Sequence, residues 1–222
     1  MTDRSVFIEP MPKISTAQKE TRRRQILDAA LRCFSREGFH NTTTADIVRE
    51  SGVSQGTLYL YFTTKDDIIV ALADDRHQGE AFLNAMAQSE QDPVAGLGLL
   101  LELYGRSLDE PGRADTRRVG ILSWAEALRN PTILASINEG ASLVRKEIIR
   151  IIERGQRVGQ IRPEIAPEAV ARFLIAIFRG LTLEASLGED AGLADVGPLI
   201  ESMIRAGLFT DAARAAHPQN PT

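Results

Sequence analysis

The sequence predicts an all-α fold with a small N-terminal unit of three helices, which contains a helix-turn-helix, and a larger C-terminal helical unit. Apolar residues recur at the three- and four-residue intervals of a helix face, as Ile26, Ala30, Cys33 and Phe34 do. Serine, threonine and proline stand where helices can begin, and glycine stands where they can end. The sequence contains no convincing pair of strand patterns and no internal repeat.

The first two helices are defined by one apolar stripe and two glycines. The stripe predicts a helix over 17–37, which Gly38 ends. Thr43, followed three residues later by Asp46, has the pattern of a short capping box and predicts that a second helix begins there. Gly52 marks the end of that helix.

A third short helix follows almost at once. Ser54 can cap it, and it runs through Tyr61, so that two short helices are joined by a tight glycine-containing turn, which is a helix-turn-helix. Thr64, again with an aspartate three residues later, predicts a long fourth helix that reaches about Ser89. Further helices, separated by segments rich in proline and glycine, are predicted at 94–108, 114–129, 132–157, 166–187 and 195–208.

These elements divide the chain into four parts. Residues 1–16 are predicted to be a flexible arm, and 17–63 to be the helix-turn-helix domain. Residues 64–210 would form the larger helical domain, and 211–222 a flexible tail.

The composition favours a soluble, cytoplasmic protein. Hydrophobic residues make up 43% of the chain and charged residues 25%, which are ordinary values for a globular protein. No secretion signal is visible, and no apolar run is long enough to span a membrane. The single cysteine, Cys33, has no partner for an internal disulfide, and the three histidines lack metal-ligand spacing. We therefore expect neither a metal nor another cofactor.

The charge is distributed unevenly along the chain. Residues 1–65 carry 10 Lys and Arg against 7 Asp and Glu, whereas residues 66–222 carry 16 against 23. A polyanion, if one binds, would therefore meet the N-terminal part.

The third helix, within the stretch "SQGTLYLYF", contains residues for which a helix that only fills a core has little use. Val53, Leu58 and Phe62 can point into the three-helix core. The remaining side chains are free for outside contacts: Gln55, Gly56, Thr57, Tyr59 and Tyr61. Gly56 costs the helix up to about 1 kcal/mol relative to alanine, yet it lets another backbone approach closely. DNA is such a backbone.

The stretch "GFHNTTTADIVRESGVSQGTLYLYFTTKDDI" resembles the helix-turn-helix of the TetR family of one-component bacterial transcriptional regulators. The resemblance covers about residues 20 to 70. The rest of the chain is similar to the family only in being all-helical and of the expected length, as the family's divergent ligand-binding domains usually are. One position departs from the pattern, because Tyr61 stands where the family often has histidine, although tyrosine can still donate to a phosphate.

The resemblance implies a DNA-binding surface on the second and third helices. Gln55, Gly56 and Thr57 would face base edges in the major groove, with Gln55 as the best reader, because its amide can bond an adenine in bidentate fashion. The residues implied to hold phosphates are Thr43, Tyr59, Tyr61 and Lys65. For Thr43 and Ser54, helix capping is the primary role, and DNA contact would be an addition to it.

The segment 169–187 is apolar on more than one side, which predicts a second buried surface besides the domain's own core. The residues assigned to that surface are Phe173, Ala176, Gly180, Leu183 and Leu187. A homodimer interface would bury them. The last helix would join through Ile200 and Ile204 in a four-helix packing, as dimers of the family usually do. The alternative is a helix at the centre of a monomeric bundle.

A small-molecule pocket is expected in the larger domain, as the resemblance implies. Its candidate apolar lining is Phe82, Met86, Tyr104, Trp124 and Ile137, and its candidate polar anchors are Arg118, Glu126 and Asn138. For each of these residues, an ordinary place in the core or on the surface is the alternative.

These observations together predict a homodimeric, ligand-responsive DNA-binding transcriptional regulator, most simply a repressor that a small-molecule inducer releases from a palindromic double-stranded DNA operator. A transcriptional activator of the same fold is one alternative. A helical scaffold that binds only protein is another, although it would not explain Gly56 and its neighbouring tyrosines. An enzyme is not predicted, because no arrangement of nucleophile, base and orienting residue and no phosphate-binding loop is present.

Overall fold

The computed structural model describes residues 15–74, 89, 91–187 and 193–217. These ranges contain ten α-helices, numbered here in chain order: α1 Thr16–Asn41, α2 Thr44–Ser51, α3 Gln55–Tyr61, α4 Lys65–Asp74, α5 Pro93–Asp109, α6 Ala114–Ala127, α7 Pro131–Arg157, α8 Pro167–Leu187, α9 Leu193–Leu208 and α10 Asp211–Ala216. A 3-10 turn, Pro111–Arg113, joins α5 to α6. Within the same ranges, β pairing is limited to an isolated bridge between Ile161 and Phe209.

The all-α prediction is confirmed, and the helices predicted after residue 93 are present within two residues of their expected bounds. The fourth helix is described as far as Asp74, and its predicted continuation over 75–88 lies outside the described residues. In the parts of the chain that the structure covers, no helix combines the length and the apolarity needed to cross a membrane.

Helix α1 carries most of the N-terminal core and bends near its end. Its start is fixed by a capping box in which the Ser15 hydroxyl accepts the N–H of Gln18 while the Gln18 side chain accepts that of Ser15. Gly38, with φ of 77°, interrupts the regular helix as the sequence predicts. This bend brings the ring of Phe39 edge-on against Phe34, with ring centroids 4.8 Å apart.

The first hydrophobic core does not stop at the helix-turn-helix. It contains buried residues of the N-terminal helices, including Phe34, Ile47 and Leu58, and also Val119 of α6 and Ile133 of α7. Helix α4, which the prediction assigns to the second domain, contributes to the same core. Residues on both sides of the domain boundary predicted between 63 and 64 therefore pack into the same core.

The second hydrophobic core is formed by α5 and α7 to α10. Its fully buried members are Leu97, Ile152, Ile161 and Ala171. The three longest helices of this part, α5, α7 and α8, pack against one another around it. It is the core of the larger helical unit that the sequence predicts.

The C-terminal segment is ordered where the sequence predicts a flexible tail. Residues 211–216 form α10, whose first turn is capped by the Thr210 hydroxyl, which accepts the N–H of Ala213. Ala213 is buried in the second core, and the Thr210 hydroxyl donates to the carbonyl of Gly159 at 2.8 Å. The tail prediction is therefore wrong for 211–216, because a short capped helix with one buried alanine docks on the bundle. Residues 218–222 lie outside the described residues.

Candidate functional site

Helices α2 and α3 form the helix-turn-helix with the local geometry that the sequence predicts. The Thr43 hydroxyl accepts the N–H of Asp46 at 3.2 Å, and the Asp46 carboxylate accepts the N–H of Thr43 at 2.9 Å. Helix α2 ends at Gly52, whose φ of 69° lies in the left-handed region. Ser54 then caps α3 by accepting the N–H of Thr57 at 3.1 Å. Both capping predictions are confirmed.

Asp46 is held ionised at the start of α2. Hydrogen bonds from the Thr43 hydroxyl, then the Thr43 backbone and Arg49, lower the pKa of Asp46 to about 2. Because this pKa is lower in the folded state, the contribution to folding is present above pH ~4 and is lost as the pH falls toward 2. The Thr43 hydroxyl donates to the same carboxylate at 2.6 Å. Both Thr43 donors are thus already paired, which weakens the phosphate role implied for this residue.

Helix α3 has one packed face and one open face. Leu58 is fully buried in the first core, and successive residues of a helix are about 100° apart, so Gly56 and Leu60 lie opposite it and Tyr59 lies to one side. We call the exposed surface of this helix the α3 open face, and it consists of Gln55, Gly56, Tyr59 and Leu60. A Cβ atom added at Gly56 would meet no atom of the rest of the protein within 4 Å.

The α3 open face differs from the sequence prediction in three residues. Thr57 is half-buried, and its hydroxyl lies 2.8 Å from that of Ser54. Tyr61 is half-buried and packs against the first core instead of pointing outward. Leu60, 84% exposed, was not among the predicted contacts. The sequence could have indicated its exposure, because Leu60 follows Gly56 by four residues and such residues share a helix face.

Tyr59 links the two helices of the motif. Its side chain is 47% exposed, and its hydroxyl lies 3.5 Å from the Thr44 hydroxyl of α2. Contacts with Thr44 and then with Gln55 lower the pKa of the Tyr59 hydroxyl. The tyrosine hydroxyl is therefore placed at the seam between α2 and α3, beside the Gln55 amide.

Lys65 is occupied within the protein. Its ammonium donates to the carbonyl of Phe39 and, at 3.0 Å, to that of Thr42. Carbonyls at the end of a helix lack intrahelical partners, and the lysine at the start of α4 supplies donors for them. The phosphate contact implied for Lys65 competes with this role, because two of the three ammonium hydrogens are already used.

The surface predicted for a dimer is apolar and exposed on α8. Its five predicted members, which recur every three or four residues, are all exposed: Phe173, Ala176, Gly180, Leu183 and Leu187. On α9 the prediction is wrong for Ile204, which is 4% exposed and lies in the second core, and Ile200 packs against that core. Leu199 and Met203, each 58% exposed, are large apolar residues that α9 presents outward.

The predicted pocket residues separate into different environments. The Tyr104 ring lies against Phe178 with centroids 4.6 Å apart, and the Arg179 guanidinium lies 5.7 Å from the centre of the Trp124 ring. Tyr104 and Trp124 thus flank adjacent residues of α8. Phe82 and Met86 lie outside the described residues.

The rest of the predicted pocket is not assembled. Ile137 packs against the first core, because it follows Ile133 by one helical turn, and Asn138 is exposed. Arg118 is exposed as well. Glu126 lies 3.2 Å from His40 of α1, so it belongs to the contact between the two parts of the protein. Among the described residues, these four therefore do not come together at one site, and the pocket remains a prediction for Tyr104 and Trp124.

Polar contacts reinforce the packing of α6 and α7 on the N-terminal helices. The Ser35 hydroxyl donates to the Asp115 carboxylate at 2.6 Å, and the Asn130 amide donates to the Asp66 carboxylate at 2.8 Å. Helix α6 also packs against α8. It therefore contacts the helix that carries Arg179 on one side and α1 on the other.

Sequence profiles of known families match two parts of the chain. Residues 26–72 match the profile of bacterial regulatory proteins of the tetR family, and residues 98–208 match that of the C-terminal part of BetI-type transcriptional repressors. The first match contains α2 and α3, and the second contains most of the larger helical unit.

Relatives of known name are similar over most of their length. The HTH-type transcriptional regulator YdgC of Bacillus subtilis is 30% identical over 195 residues, which are 83% of this chain and 94% of that protein. The HTH-type transcriptional repressor AcnR of Corynebacterium glutamicum is 25% identical over 86% of this chain and 97% of that protein. A solved transcriptional regulator from Saccharomonospora viridis, in complex with choline, is 27% identical with a TM-score of 0.71, covering 86% of this chain and 99% of that one.

Gly56→Val tests whether the α3 open face lies against another molecule. The fold should be kept, because a Cβ atom at position 56 meets nothing within 4 Å and points away from the core. Operator affinity should fall by about tenfold or more, because a branched side chain holds α3 away from base contacts worth ~1–3 kcal/mol each. Gly98→Val is the control, since Gly98 is an equally open helical glycine on α5. Normal operator binding by Gly56→Val, measured by fluorescence anisotropy, would contradict the placement of Gly56 against DNA.

Lys65→Met separates the two roles of Lys65. Losing hydrogen bonds from a charged donor should lower the free energy of unfolding by about 1–3 kcal/mol, while the dependence of operator affinity on salt should stay the same. Urea denaturation and a salt titration measure the two effects. If stability is unchanged and the slope of log affinity against log salt concentration falls by about one unit per lost contact, Lys65 binds a phosphate.

Proposed function

Because the chain belongs to the TetR family of bacterial regulatory proteins and is a DNA-binding transcriptional regulator, we propose that it is a repressor that a small molecule releases from a palindromic operator. The observation that carries the proposal is the α3 open face. A short helix anchored by Leu58 presents an amide, a glycine and a tyrosine to the outside, and this is the surface that would enter the major groove.

Gln55 is the base reader in this proposal. Its amide can donate to and accept from an adenine edge at once, and it stands beside Gly56, where no Cβ keeps the backbone away from the groove. Tyr59 donates its hydroxyl to a phosphate at the seam between α2 and α3. The caps at Thr43 and Ser54 hold the two helices in register, with DNA contact secondary for both.

A homodimer supplies two such surfaces. The exposed apolar stripe on α8, together with Leu199 and Met203 of α9, is proposed to be covered by the same surface of a second copy. Burying this stripe removes large apolar side chains from water, among them Leu187, which is 77% exposed. A two-fold dimer reads two equivalent half-sites, which accounts for a palindromic operator.

The ligand response is proposed to pass through α6. Trp124 of α6 and Tyr104 of α5 flank α8, and we place the inducer beside these two rings. The other side of α6 holds α1 through the first core and through the Ser35–Asp115 contact. A ligand that binds better when α6 is displaced shifts the population toward the DNA-incompetent state, by as much as its affinities for the two states differ.

The chemistry around Trp124 bears on the class of inducer. The S. viridis regulator was solved with choline, a quaternary ammonium compound, and aromatic faces bind such cations. Here the Arg179 guanidinium already lies over the Trp124 ring, so a cationic inducer would have to displace it. We therefore propose that a carboxylate with an apolar body releases the operator more effectively than choline does, and that both should be tested side by side.

The operator prediction tests the function directly. The protein should retard a DNA fragment from upstream of its own gene, and footprinting should show an imperfect palindrome whose half-sites lie about 34 Å or somewhat more apart. A transcription assay on the same fragment separates repression from activation. No binding to any upstream fragment, or protection of a single asymmetric half-site, would contradict the proposal.

Gly180→Arg tests the dimer. An arginine in the middle of the apolar stripe leaves a charge without a partner in the interface, so the variant should sediment as a monomer at concentrations at which the parent is a dimer. Binding to the two-half-site operator should weaken with it. Gly98→Arg, at an open glycine on α5, should stay dimeric. If Gly180→Arg remains a dimer, α8 is not in the interface.

Trp124→Ala tests the position of the inducer. Operator affinity without ligand should change little, while the inducer concentration needed for release should rise by about tenfold or more, because an aromatic contact of ~0.5–1.5 kcal/mol and its buried area are lost. Trp124→Phe keeps a ring and should respond almost as the parent does. Release that is unaffected in Trp124→Ala would place the pocket elsewhere.

A further inference from the structure

Leu60 is the residue of the α3 open face that the proposed function leaves without a role. Its side chain is 84% exposed, although it lies on a helix whose other leucine is fully buried. It follows Gly56 by one helical turn, so the two positions lie on the same face. Neither Gln55 nor Tyr59, the other members of that face, carries a charge at neutral pH.

The surroundings of Leu60 limit what can cover it. One leucine between an amide, a glycine and a phenol is too small an apolar surface for a stable protein interface, which buries about 800 Å² on each partner. One turn earlier, Gly56 has no side chain and its surroundings are open, so a partner molecule can approach the α3 backbone closely there. The floor of the major groove satisfies both conditions.

We propose that Leu60 determines specificity by packing against the C5-methyl group of a thymine in each operator half-site. This inference rests on the proposed function. Thymine is the base that presents a methyl group in the major groove, and apolar side chains read it by contact. Gln55 and Leu60 would then contact different groups on the DNA. The Gln55 amide reads polar atoms of a base edge, and Leu60 reads a methyl group.

The contact should be visible when only the methyl group is removed. Deoxyuridine has the same hydrogen-bonding edge as thymidine but lacks the methyl group. Removing from water one methyl on the DNA and the leucine atoms that cover it corresponds to about a fourfold change in affinity per half-site, or about fifteenfold for a dimer. No phosphate contact is involved, so the salt dependence of binding should not change.

The experiment combines base and residue substitutions on the full-length protein. Symmetric thymine pairs in the footprinted operator are replaced by deoxyuridine, one pair at a time, and affinities are measured for the parent and for Leu60→Ala. One pair should weaken the parent by about fifteenfold and should have no further effect on Leu60→Ala. Leu128→Ala, which removes an equally exposed leucine at the end of α6, should respond as the parent does. Circular dichroism melting confirms that each variant is folded.

The outcomes separate the inference from the function on which it rests. If every deoxyuridine substitution weakens Leu60→Ala as much as the parent, or if none weakens the parent, Leu60 does not read thymine, and operator binding by the parent keeps the regulator proposal standing. Equal losses of Leu60→Ala on operator and random DNA would also overturn the inference. Failure of the parent to bind any upstream fragment overturns the function and the inference together.

Discussion

The hydrophobic core shared by α1 to α4, α6 and α7 is the constraint on which the rest of the structure depends. Phe34, Ile47 and Leu58 are fully buried there, and each such side chain contributes about 1.5–3 kcal/mol through burial. Val119 and Ile133 of the larger unit are buried in the same core. The helix-turn-helix and the helices proposed to contact the ligand are therefore packed against one core. A displacement of α6 cannot leave α1 unaffected, because close-packed interiors transmit strain.

Little of helix α3 is buried in the core, so most of its surface is available for contact with DNA. Leu58 and, just beyond the helix, Phe62 anchor it, Gly52 ends the preceding helix, and the Ser54 cap fixes where α3 starts. Four of its seven residues then remain exposed on one side. An isolated helix of this length would not be stable in water, so packing on the core maintains its helical conformation. The residues on its exposed face can therefore differ in type without loss of the helix.

Charged groups near this surface are largely engaged within the protein. Asp46 holds the start of α2, Lys65 holds the end of α1, and Glu50 accepts from Arg32 at 2.7 Å. These contacts preorganise the α2–α3 unit, so that less ordering remains for the moment of binding. The α3 open face itself contains no charged residue, which suits the reading of base edges better than the holding of phosphates.

The sequence by itself determined where helices begin and end, and with them the fold class and the helix-turn-helix. The caps at Thr43, Ser54 and Thr64 and the left-handed Gly52 involve residues at most four positions apart, so they can be read locally. The stretch Thr210 to Ala213 carried the same signal and shows that the C-terminal helix was readable too.

Only the tertiary structure decided which way particular side chains face. Lys65 turns to carbonyls 26 and 23 positions earlier in the chain, Tyr61 packs inward, and Ile204 joins the core while Met203 beside it is exposed. On a short or many-sided apolar helix the 3.6-residue period leaves several orientations nearly equal in apolar content. Packing against helices distant in sequence selects one of them, and no local pattern records that choice.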